Sequence, residues 1–366
     1  MSGHYPNVIM SHIINFSAGP SILPKTVFEQ ASQAVLDLNG SGLSILEISH
    51  RSGYFEPIMQ EAMDLTRELL GLTDEYEVMF LTGGASTQFF MTVMNLLPEG
   101  QRAAYVDTGV WSSKAIKEAK MLGNIDVIAS SKDTNYTYIP KGYEIPESYQ
   151  YLHLTSNNTI YGTQYQSYPE TSLPIVCDMS SDIFSKPVDI KRFGLIYAGA
   201  QKNLGPAGVT LVIIRKDMLG KVQKTMPTML RYETHIDNGS MYNTPPVFPI
   251  YVSMLTMRWL KENGGLRAMA ALNERKAKHL YDVIDSIPVY VGHSVPEDRS
   301  LMNVTFHLED TSLNKEFQVY CEDAGCDGLK GHKSAGGFRA SIYNAMPEDG
   351  VKVLAEVMKE FALKHA

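Results

Sequence analysis

Short apolar segments alternate with amphipathic stretches of helical length through the first two thirds of the chain, and this alternation leaves few possible folds. Residues 78–81 predict a strand and residues 88–97 a helix, and residues 103–106 and 112–122 repeat the pair. A strand–helix–strand–helix order is typical of a mainly parallel sheet with helices on its faces. We therefore assign the chain to the α/β class.

Further apolar segments of strand length continue the pattern. They lie at residues 126–129, 151–154, 175–178, 195–198 and 210–214. The last two are joined by a short loop, whereas a parallel connection usually contains a helical crossover. We expect these two strands to form an antiparallel pair at one edge of the sheet.

The rest of the chain predicts a second, smaller α+β domain. Helical periodicity at residues 249–262 and 266–284 is followed by short apolar segments and a final helix at residues 347–364. We predict three parts. They are an N-terminal extension and arm that packs with neither core (1–20), a large domain (21–260) and a small C-terminal domain (261–366).

The balance of charge limits the partners that the chain can bind. Thirty-two lysines and arginines stand against 40 aspartates and glutamates, which gives a net charge of −8. An acidic chain is a poor candidate for binding nucleic acid or an anionic membrane, and we expect neither as a partner. An anionic small molecule would need a local cluster of cations or helix N-termini.

Cysteine content and hydropathy favour a cytoplasmic protein without a metal site. The three cysteines, Cys177, Cys321 and Cys326, form no CxxC pair, which favours a reducing compartment and argues against a thiolate zinc site. The longest apolar runs have the length of a strand, well short of the ~20 residues of a membrane span. Residues 1–12 do not resemble a secretory signal, and we interpret them as an extension or an added leader.

A run of small residues joins the first predicted strand to its helix. Residues 82–87 read TGGAST. Small residues let the backbone approach a phosphate, and the free N–H groups of a helix N-terminus favour an anion. The alternative is a tight, well-capped turn with no ligand. The segment matches neither GxGxxG nor GxxxxGK[ST], which argues against a dinucleotide enzyme and a P-loop enzyme.

An acid and an amine each follow a predicted strand. Asp178 ends one strand, and Lys202 lies 24 residues later, just after the next. Parallel α/β sheets bind ligands at these strand ends, and the pair suits pyridoxal phosphate (PLP). The carboxylate would keep the pyridine nitrogen protonated, and the lysine would form a Schiff base. Trp111, at another strand end, could stack on the ring. The alternatives are a helix-capping aspartate, a surface lysine and a core tryptophan.

Two groups of cations lie in segments rich in glycine and serine. One contains His50 and Arg51, and the other contains His332, Lys333 and Arg339. Arginine binds carboxylate or phosphate through two parallel hydrogen bonds. The two groups could converge on one doubly anionic substrate. The alternative for each is ordinary solvated loop charge.

Several motifs together identify a family. They are NFSAGP at 15–20, EISHR at 47–51, YAGAQKN at 197–203, NTPP at 243–246 and the segment 330–344. With these motifs the chain, from about residue 14 to its end, closely resembles the phosphoserine aminotransferase family of class-V PLP-dependent aminotransferases. The resemblance implies an aspartate aminotransferase-like (fold type I) structure whose large domain binds PLP. It also implies a homodimer with active sites shared across the interface.

The resemblance implies a role for each matched residue. Lys202 would form the Schiff base, Asp178 would partner the pyridine nitrogen, and Trp111 would stack on the ring. The other residues that would contact PLP are Thr159 at its phenolic oxygen, Ala85, Ser86 and Gln201 at its phosphate, and Asn243 and Thr244 from the neighbouring subunit. The residues that would bind the substrate's phosphate and carboxylate are His50, Arg51, His332 and Arg339.

The implied activity is a reversible ping-pong reaction in serine biosynthesis. Glutamate gives its amino group to 3-phosphohydroxypyruvate, and the products are 2-oxoglutarate and O-phosphoserine. A phosphorylated hydroxythreonine of vitamin B6 (pyridoxine) biosynthesis is a hypothetical second substrate. Two positions depart from the family pattern, since Ser86 and Lys333 stand where some relatives have arginine. Lysine is a point charge and lacks the bidentate fork of arginine.

Three alternative functions remain at this point. Another class-V aminotransferase acting on a small amino acid would not need two groups of cations. A desulfurase needs an exposed thiolate, and Cys177 lies within an apolar strand while Cys321 and Cys326 have no basic loop beside them. A non-catalytic ligand-binding α/β protein would have no use for Lys202.

Overall fold

The computed structural model describes residues 13–222 and 225–365, so our interpretation of residues 1–12 lies outside the described residues. The strands are β1 (Ile14–Asn15), β2 (Tyr76–Leu81), β3 (Arg102–Asp107), β4 (Asn124–Ser130), β5 (Leu152–Thr155), β6 (Asn157–Asn158), β7 (Thr163–Gln164), β8 (Ile175–Asp178), β9 (Phe193–Gly199), β10 (Thr210–Arg215), β11 (Tyr290–Gly292), β12 (Asn303–Leu308), β13 (Cys326–Asp327) and β14 (Phe338–Ser341). The helices are α1 (Lys25–Leu36), α2 (Glu56–Leu70), α3 (Gly84–Leu96), α4 (Val110–Lys120), α5 (Tyr232–Asp237), α6 (Val247–Glu262), α7 (Gly265–Ser286), α8 (Asn314–Asp323) and α9 (Glu348–Lys364).

A seven-stranded sheet of order β2-β10-β9-β8-β5-β3-β4 organises the larger part of the molecule. The five strands from β9 to β4 run parallel, and β10 is antiparallel to both of its neighbours. The predicted antiparallel pairing of the last two strands is confirmed. Their predicted position at an edge is wrong, because β2 pairs with the outer side of β10. The short β9–β10 loop determines the direction of β10 and carries no information about the strand on its other side.

Two hydrophobic cores cover the faces of this sheet. Helices α1, α2 and α6 pack on one face, and α3, α4 and α5 pack on the other. All seven residues of β9 are buried, as expected for a central strand covered on both sides. The helices therefore leave the carboxyl ends of the parallel strands as the place where polar side chains gather.

A third core lies in the C-terminal part, around the three-stranded antiparallel sheet β11-β12-β14 and the helices α8 and α9. Helix α7 spans the junction, with Met269 in the core of the large sheet and Leu280 in the C-terminal core. The boundary predicted at residues 260 and 261 stays a prediction. None of the described helices is both long and apolar enough to cross a membrane.

The chain just after residue 12 packs differently from our expectation. β1 pairs in parallel with β13, and the Phe16 side chain is fully buried in the C-terminal core. The expectation that residues 1–20 pack with neither core is therefore wrong for this part of the arm. The error has a physical reason, since a two-residue strand is too short to show a periodicity in the sequence.

Helix α3 begins earlier than the sequence predicted. It starts at Gly84 instead of residue 88, because Gly83 and Gly84 adopt positive φ angles of 95° and 68° and turn the chain directly from β2 into the helix. Ala85 and Ser86 consequently lie in the first turn of α3.

The tightness of this turn predicts a difference between two glycine substitutions. A Cβ atom at Gly83 would lie 2.8 Å from the Thr87 Cβ, whereas nothing lies within 4 Å of a Cβ at Gly71, whose φ is also positive (63°). Strain should destabilise both Gly83→Ala and Gly71→Ala by about 1–3 kcal/mol. Overpacking should add about 1–3 kcal/mol for Gly83→Ala alone. Thermal unfolding followed by circular dichroism measures the difference, and equal melting temperatures would contradict the described turn.

Candidate active site

Asp178 and Lys202 meet at the carboxyl edge of the parallel strands. Asp178 is the last residue of β8, and its backbone pairs with Tyr197 of the parallel neighbour β9. Lys202 follows the end of β9 by three residues. The positive charge of Lys202 acts to lower the pKa of Asp178, which is the convergence that the sequence predicted.

The Asp178 carboxylate is buried, and only one of its two oxygens accepts hydrogen bonds from the described residues. Ser180 donates to its Oδ1 atom from the backbone N–H at 2.9 Å and from the hydroxyl at 2.6 Å. Within the described residues, no group donates a hydrogen bond to Oδ2. Burial raises the pKa of Asp178, and the charge of Lys202 and the bonds from Ser180 oppose that rise. A buried carboxylate with one free oxygen suits an N–H donor that carries positive charge.

Lys202 has an amine prepared for nucleophilic chemistry. Its Nζ atom donates to Thr159 Oγ1 at 2.9 Å. Burial, together with the positive charge of Arg339, lowers the pKa of Lys202 to about 8, against the opposing effect of Asp178. A lowered pKa gives the neutral, nucleophilic form near physiological pH.

Arg339 comes to the same place from the other sheet. It lies on β14, and its Nη1 atom donates to the Thr159 carbonyl oxygen at 3.3 Å. Its Nε atom is buried and has no hydrogen-bond partner among the described residues. Burial lowers the pKa of Arg339, yet a guanidinium stays charged at any physiological pH. Thr159 thus contacts both Lys202 and Arg339.

Trp111 and a lysine that the sequence analysis missed form one wall of the site. The Trp111 ring centroid lies 5.5 Å from Lys202 Nζ and 4.3 Å from Lys114 Nζ. Lys114 lies one helical turn after Trp111 on α4, so the i, i+3 spacing was a usable signal. Burial lowers the pKa of His332, and the charges of Arg339, Lys333 and Lys114 lower it further. The loop that carries His332 and Lys333 therefore lies close to these cations.

The cations of the site lack acidic partners. In the described ranges, none of Lys114, Lys202, Lys333 and Arg339 has a carboxylate oxygen within 4.0 Å. The chain as a whole carries a net charge of −8. A local excess of positive charge against this background is the arrangement that an anionic ligand requires.

The predicted phosphate segment has the geometry of an anion site. Gly83 precedes α3 and offers no side-chain cap, so among residues 13–222 and 225–365 the N–H groups of Ala85 and Ser86, in the first turn of this 13-residue helix, have no capping partner and can bind a ligand. A separate cavity of about 180 Å³ lies on the other side of the turn, lined by Gly83, Thr87 and this chain's own Asn243, and neither Ala85 nor Ser86 lines it. Gln201 is half-buried next to Lys202.

His50, Arg51 and Thr244 are among the predicted residues that do not contact this centre. Within the described chain, no hydrogen bond, ion pair or ring contact joins His50, Arg51 or Thr244 to Lys202 or Arg339. Arg51 and Thr244 are exposed, and His50 is half-buried with an unpartnered Nε2 atom. Their predicted action across a subunit interface stays a prediction.

Comparison with known proteins agrees with this geometry. The family described as aminotransferase class-V matches residues 13–354. The chain is 57% identical to a phosphoserine aminotransferase from Flavobacterium johnsoniae, with 96% of this chain and 99% of that protein covered. It is 54% identical to one from Parabacteroides distasonis, over 96% and 99% of the two chains.

Solved structures extend the similarity to three dimensions. A phosphoserine aminotransferase from Bacillus circulans subsp. alkalophilus is 48% identical, with a TM-score of 0.95 over 97% of this chain and all of that one. A PLP-bound phosphoserine aminotransferase from Trichomonas vaginalis is 37% identical, with a TM-score of 0.91 over 95% and 100%. The predicted α/β fold is confirmed. The chain belongs to the class-V aminotransferases and, within them, to the phosphoserine aminotransferase family.

Proposed function

We propose that this chain is a PLP-dependent aminotransferase that moves the amino group between glutamate and 3-phosphohydroxypyruvate, giving 2-oxoglutarate and O-phosphoserine in serine biosynthesis. The observation that carries the proposal is the contact of one residue, Thr159, with both Lys202 and Arg339. In a chain of this family, a reactive amine and a guanidinium without a carboxylate partner among the described residues thus contact the same residue.

The residues present fit PLP. The free Oδ2 of Asp178 suits a protonated pyridine nitrogen, and the indole ring of Trp111 suits the face of the pyridine. The open N-terminus of α3 suits the phosphate, through the N–H groups of Ala85 and Ser86. When bound, PLP supplies an electrophilic carbon and a ring that accepts the electron pair released at the substrate Cα.

The remaining residues that would hold PLP are assigned from the family pattern. The Thr159 hydroxyl, which accepts a hydrogen bond from Lys202, would donate its own proton to the phenolic oxygen. Gln201 would lie at the phosphate, joined by Asn243 and Thr244 of a second copy of the chain.

Lys202 carries the chemistry of the protein itself. Because its pKa is lowered to about 8, more of its amine is neutral near physiological pH than in an ordinary lysine, and it donates to Thr159 Oγ1 at 2.9 Å. Its amine is the base that takes the proton from the substrate Cα. Arg339 orients the substrate by binding its α-carboxylate bidentately.

The cations farther out explain how one site accepts two amino acids in turn. Glutamate ends in a second carboxylate and phosphoserine in a phosphate, so both present an anion at each end. His332, Lys333 and Lys114 would bind the distal anion. His50 and Arg51 would join them from a second copy of the chain.

Comparing a substrate with and without its phosphate group tests the proposed substrate class. With glutamate as donor, kcat/KM for 3-phosphohydroxypyruvate should exceed that for 3-hydroxypyruvate by roughly 10³-fold, because the unphosphorylated acid leaves His332, Lys333 and Lys114 without an anionic partner. A coupled assay for 2-oxoglutarate measures both values. Equal values would favour the alternative, an aminotransferase for small amino acids.

The lowered pKa of Lys202 predicts how PLP capture depends on pH. Only the neutral amine attacks, so the rate at which the cofactor-free protein captures PLP should rise with pH and level off above about 8. Arg339→Gln removes a positive charge that lowers the pKa of Lys202, so its midpoint should move to higher pH. Stopped-flow absorbance measures both midpoints, and a midpoint that is unchanged or lower in Arg339→Gln would contradict the described electrostatics.

We also propose that the chain acts as a cytoplasmic homodimer. Large apolar side chains on either side of His50 and Arg51 face outwards, since Leu46 is 63% exposed and Tyr54 49% exposed. Such a surface, with two predicted substrate ligands in it, is typical of a subunit interface.

Subunit complementation tests the shared site. Lys202→Ala and Arg51→Ala should each be severely impaired, while a co-refolded equal mixture should recover about a quarter of the wild-type activity. The recovered site combines Lys202 from one copy with Arg51 from the other. Light scattering confirms that mixed dimers form. Mixed dimers without recovered activity would contradict action of Arg51 across the interface.

A further inference from the structure

Two buried asparagines join the segments that carry Lys202 and Arg339. Asn203 follows Lys202 directly, and Asn344 lies five residues after Arg339. Their side chains are 6% and 4% exposed. Neither residue has a role in the proposed chemistry.

The two asparagines meet in one hydrogen-bonded cluster. The backbone N–H of Asn344 donates to Asn203 Oδ1 at 2.9 Å. Asn203 Nδ2 donates to the Ile183 carbonyl at 2.6 Å, and Asn344 Nδ2 donates to the Phe184 carbonyl at 2.9 Å. Both amides therefore hold the same turn after β8. We call this pair the Asn203–Asn344 clasp.

Helix α7 anchors the clasp from behind. Asn273 Nδ2 donates to Asn344 Oδ1 at 2.9 Å and to the Ser185 carbonyl at 3.1 Å. The fully buried Lys276 donates from Nζ to the carbonyls of Ile342 and Tyr343, at 2.9 and 2.7 Å. The chain just beyond Arg339 is thus held by Asn203, which follows Lys202, and by two side chains of α7.

The chemistry of these positions requires an amide. Each asparagine accepts through Oδ1 and donates through Nδ2 within one short planar group. Aspartate would lose the donor, and its charge would face a buried carbonyl. Alanine would leave buried carbonyl groups without a donor.

The clasp lies where the two halves of the site must be aligned. Lys202 extends from the large sheet, and Arg339 belongs to the C-terminal sheet, with a separate hydrophobic core. Besides their shared contact with Thr159, the two segments are joined by the clasp, which links Asn203, next to Lys202, to Asn344, three residues after the end of β14. Aminotransfer needs the substrate Cα at the Lys202 amine while the substrate α-carboxylate is bound to the Arg339 guanidinium. Because the Cα and the α-carboxylate are bonded to each other, the amine and the guanidinium must lie at a fixed separation.

We infer that the Asn203–Asn344 clasp is a positioning device that sets the separation of the Lys202 amine from the Arg339 guanidinium. The inference rests on the proposed role of Arg339 as the α-carboxylate ligand. Every amino-acid substrate has the same Cα and α-carboxylate, so the clasp affects phosphoserine and glutamate equally. The distal anion, which differs between the two substrates, does not contribute to this effect.

A double-mutant cycle tests the clasp in the PLP-loaded enzyme. Asn344→Ala should lower kcat/KM for O-phosphoserine and for glutamate by similar factors, up to about 10²-fold, because a displacement near 1 Å is enough to lose that much. In the Arg339→Gln background the same substitution should change kcat/KM by no more than about twofold, because the alignment no longer matters. A residue that only stabilised the fold would lower both backgrounds equally.

Asn95→Ala is the matched control. Asn95 is also a buried asparagine, with Nδ2 donating to the carbonyls of Met91 and Leu230 and Oδ1 accepting from the Tyr232 N–H. It should lose stability in a thermal unfolding scan and keep kcat/KM within about threefold. If Asn344→Ala does not fold, Asn273→Ala replaces it in the same double-mutant cycle, because it removes only the hydrogen bonds from α7 to Asn344 Oδ1 and to the Ser185 carbonyl.

The outcomes separate the inference from the function on which it rests. If Arg339→Gln alone leaves kcat/KM unchanged, the proposed role of Arg339 is wrong, and the inference about the clasp is overturned with it. If Arg339→Gln is severe but Asn344→Ala is fully additive with it, the role of Arg339 stands and the clasp is overturned. A loss with phosphoserine and none with glutamate would also overturn the clasp.

Discussion

The parallel pairing of β8 with β9 is the constraint on which the whole site depends, because it brings the carboxyl ends of both strands to one edge of the sheet. Asp178 ends the first strand, and Lys202 follows the second. Burial on both faces keeps water from these ends, which raises the pKa of Asp178 and lowers that of Lys202. The same β-sheet geometry therefore places the acid and the amine together and adjusts both for their roles.

Electrostatics then determines what this edge can bind. The acidic chain places Lys114 and Lys202 at the Trp111 ring, neither with a carboxylate partner among the described residues. The charges of Arg339, which comes from the second sheet, and of Lys114 both act on His332. The buried Nε of Arg339 has no partner among the described residues, and a buried charged donor without a partner is costly, so it indicates a ligand that neutralises it. A substrate with an anion at each end meets that requirement, and this links the geometry to the proposed exchange between glutamate and phosphoserine.

Much of this site could be predicted from the sequence, and the remainder could not, for physical reasons. Asp178 and Lys202 follow apolar strands, and strand ends are visible as local patterns. Lys114 was missed although its i, i+3 spacing from Trp111 was a usable signal, because a single exposed lysine on a helix is usually an ordinary surface residue. Asn203 and Asn344 stood inside the matched motifs without a role, since their partner carbonyls, such as that of Ile183, are identified only by the tertiary fold. The position of β10 inside the sheet was likewise set by long-range pairing.

The central claim is that Lys202 is the lysine that binds PLP. Lys276 is a demanding internal control, because burial also lowers its pKa, to about 7, although its Nζ is held by two carbonyls. Reduction of the PLP-loaded protein with borohydride, followed by peptide mass spectrometry, locates the covalent link. The account predicts a pyridoxyl group on Lys202 and none on Lys276. A pyridoxyl group on Lys276, or on any lysine other than Lys202, would contradict it.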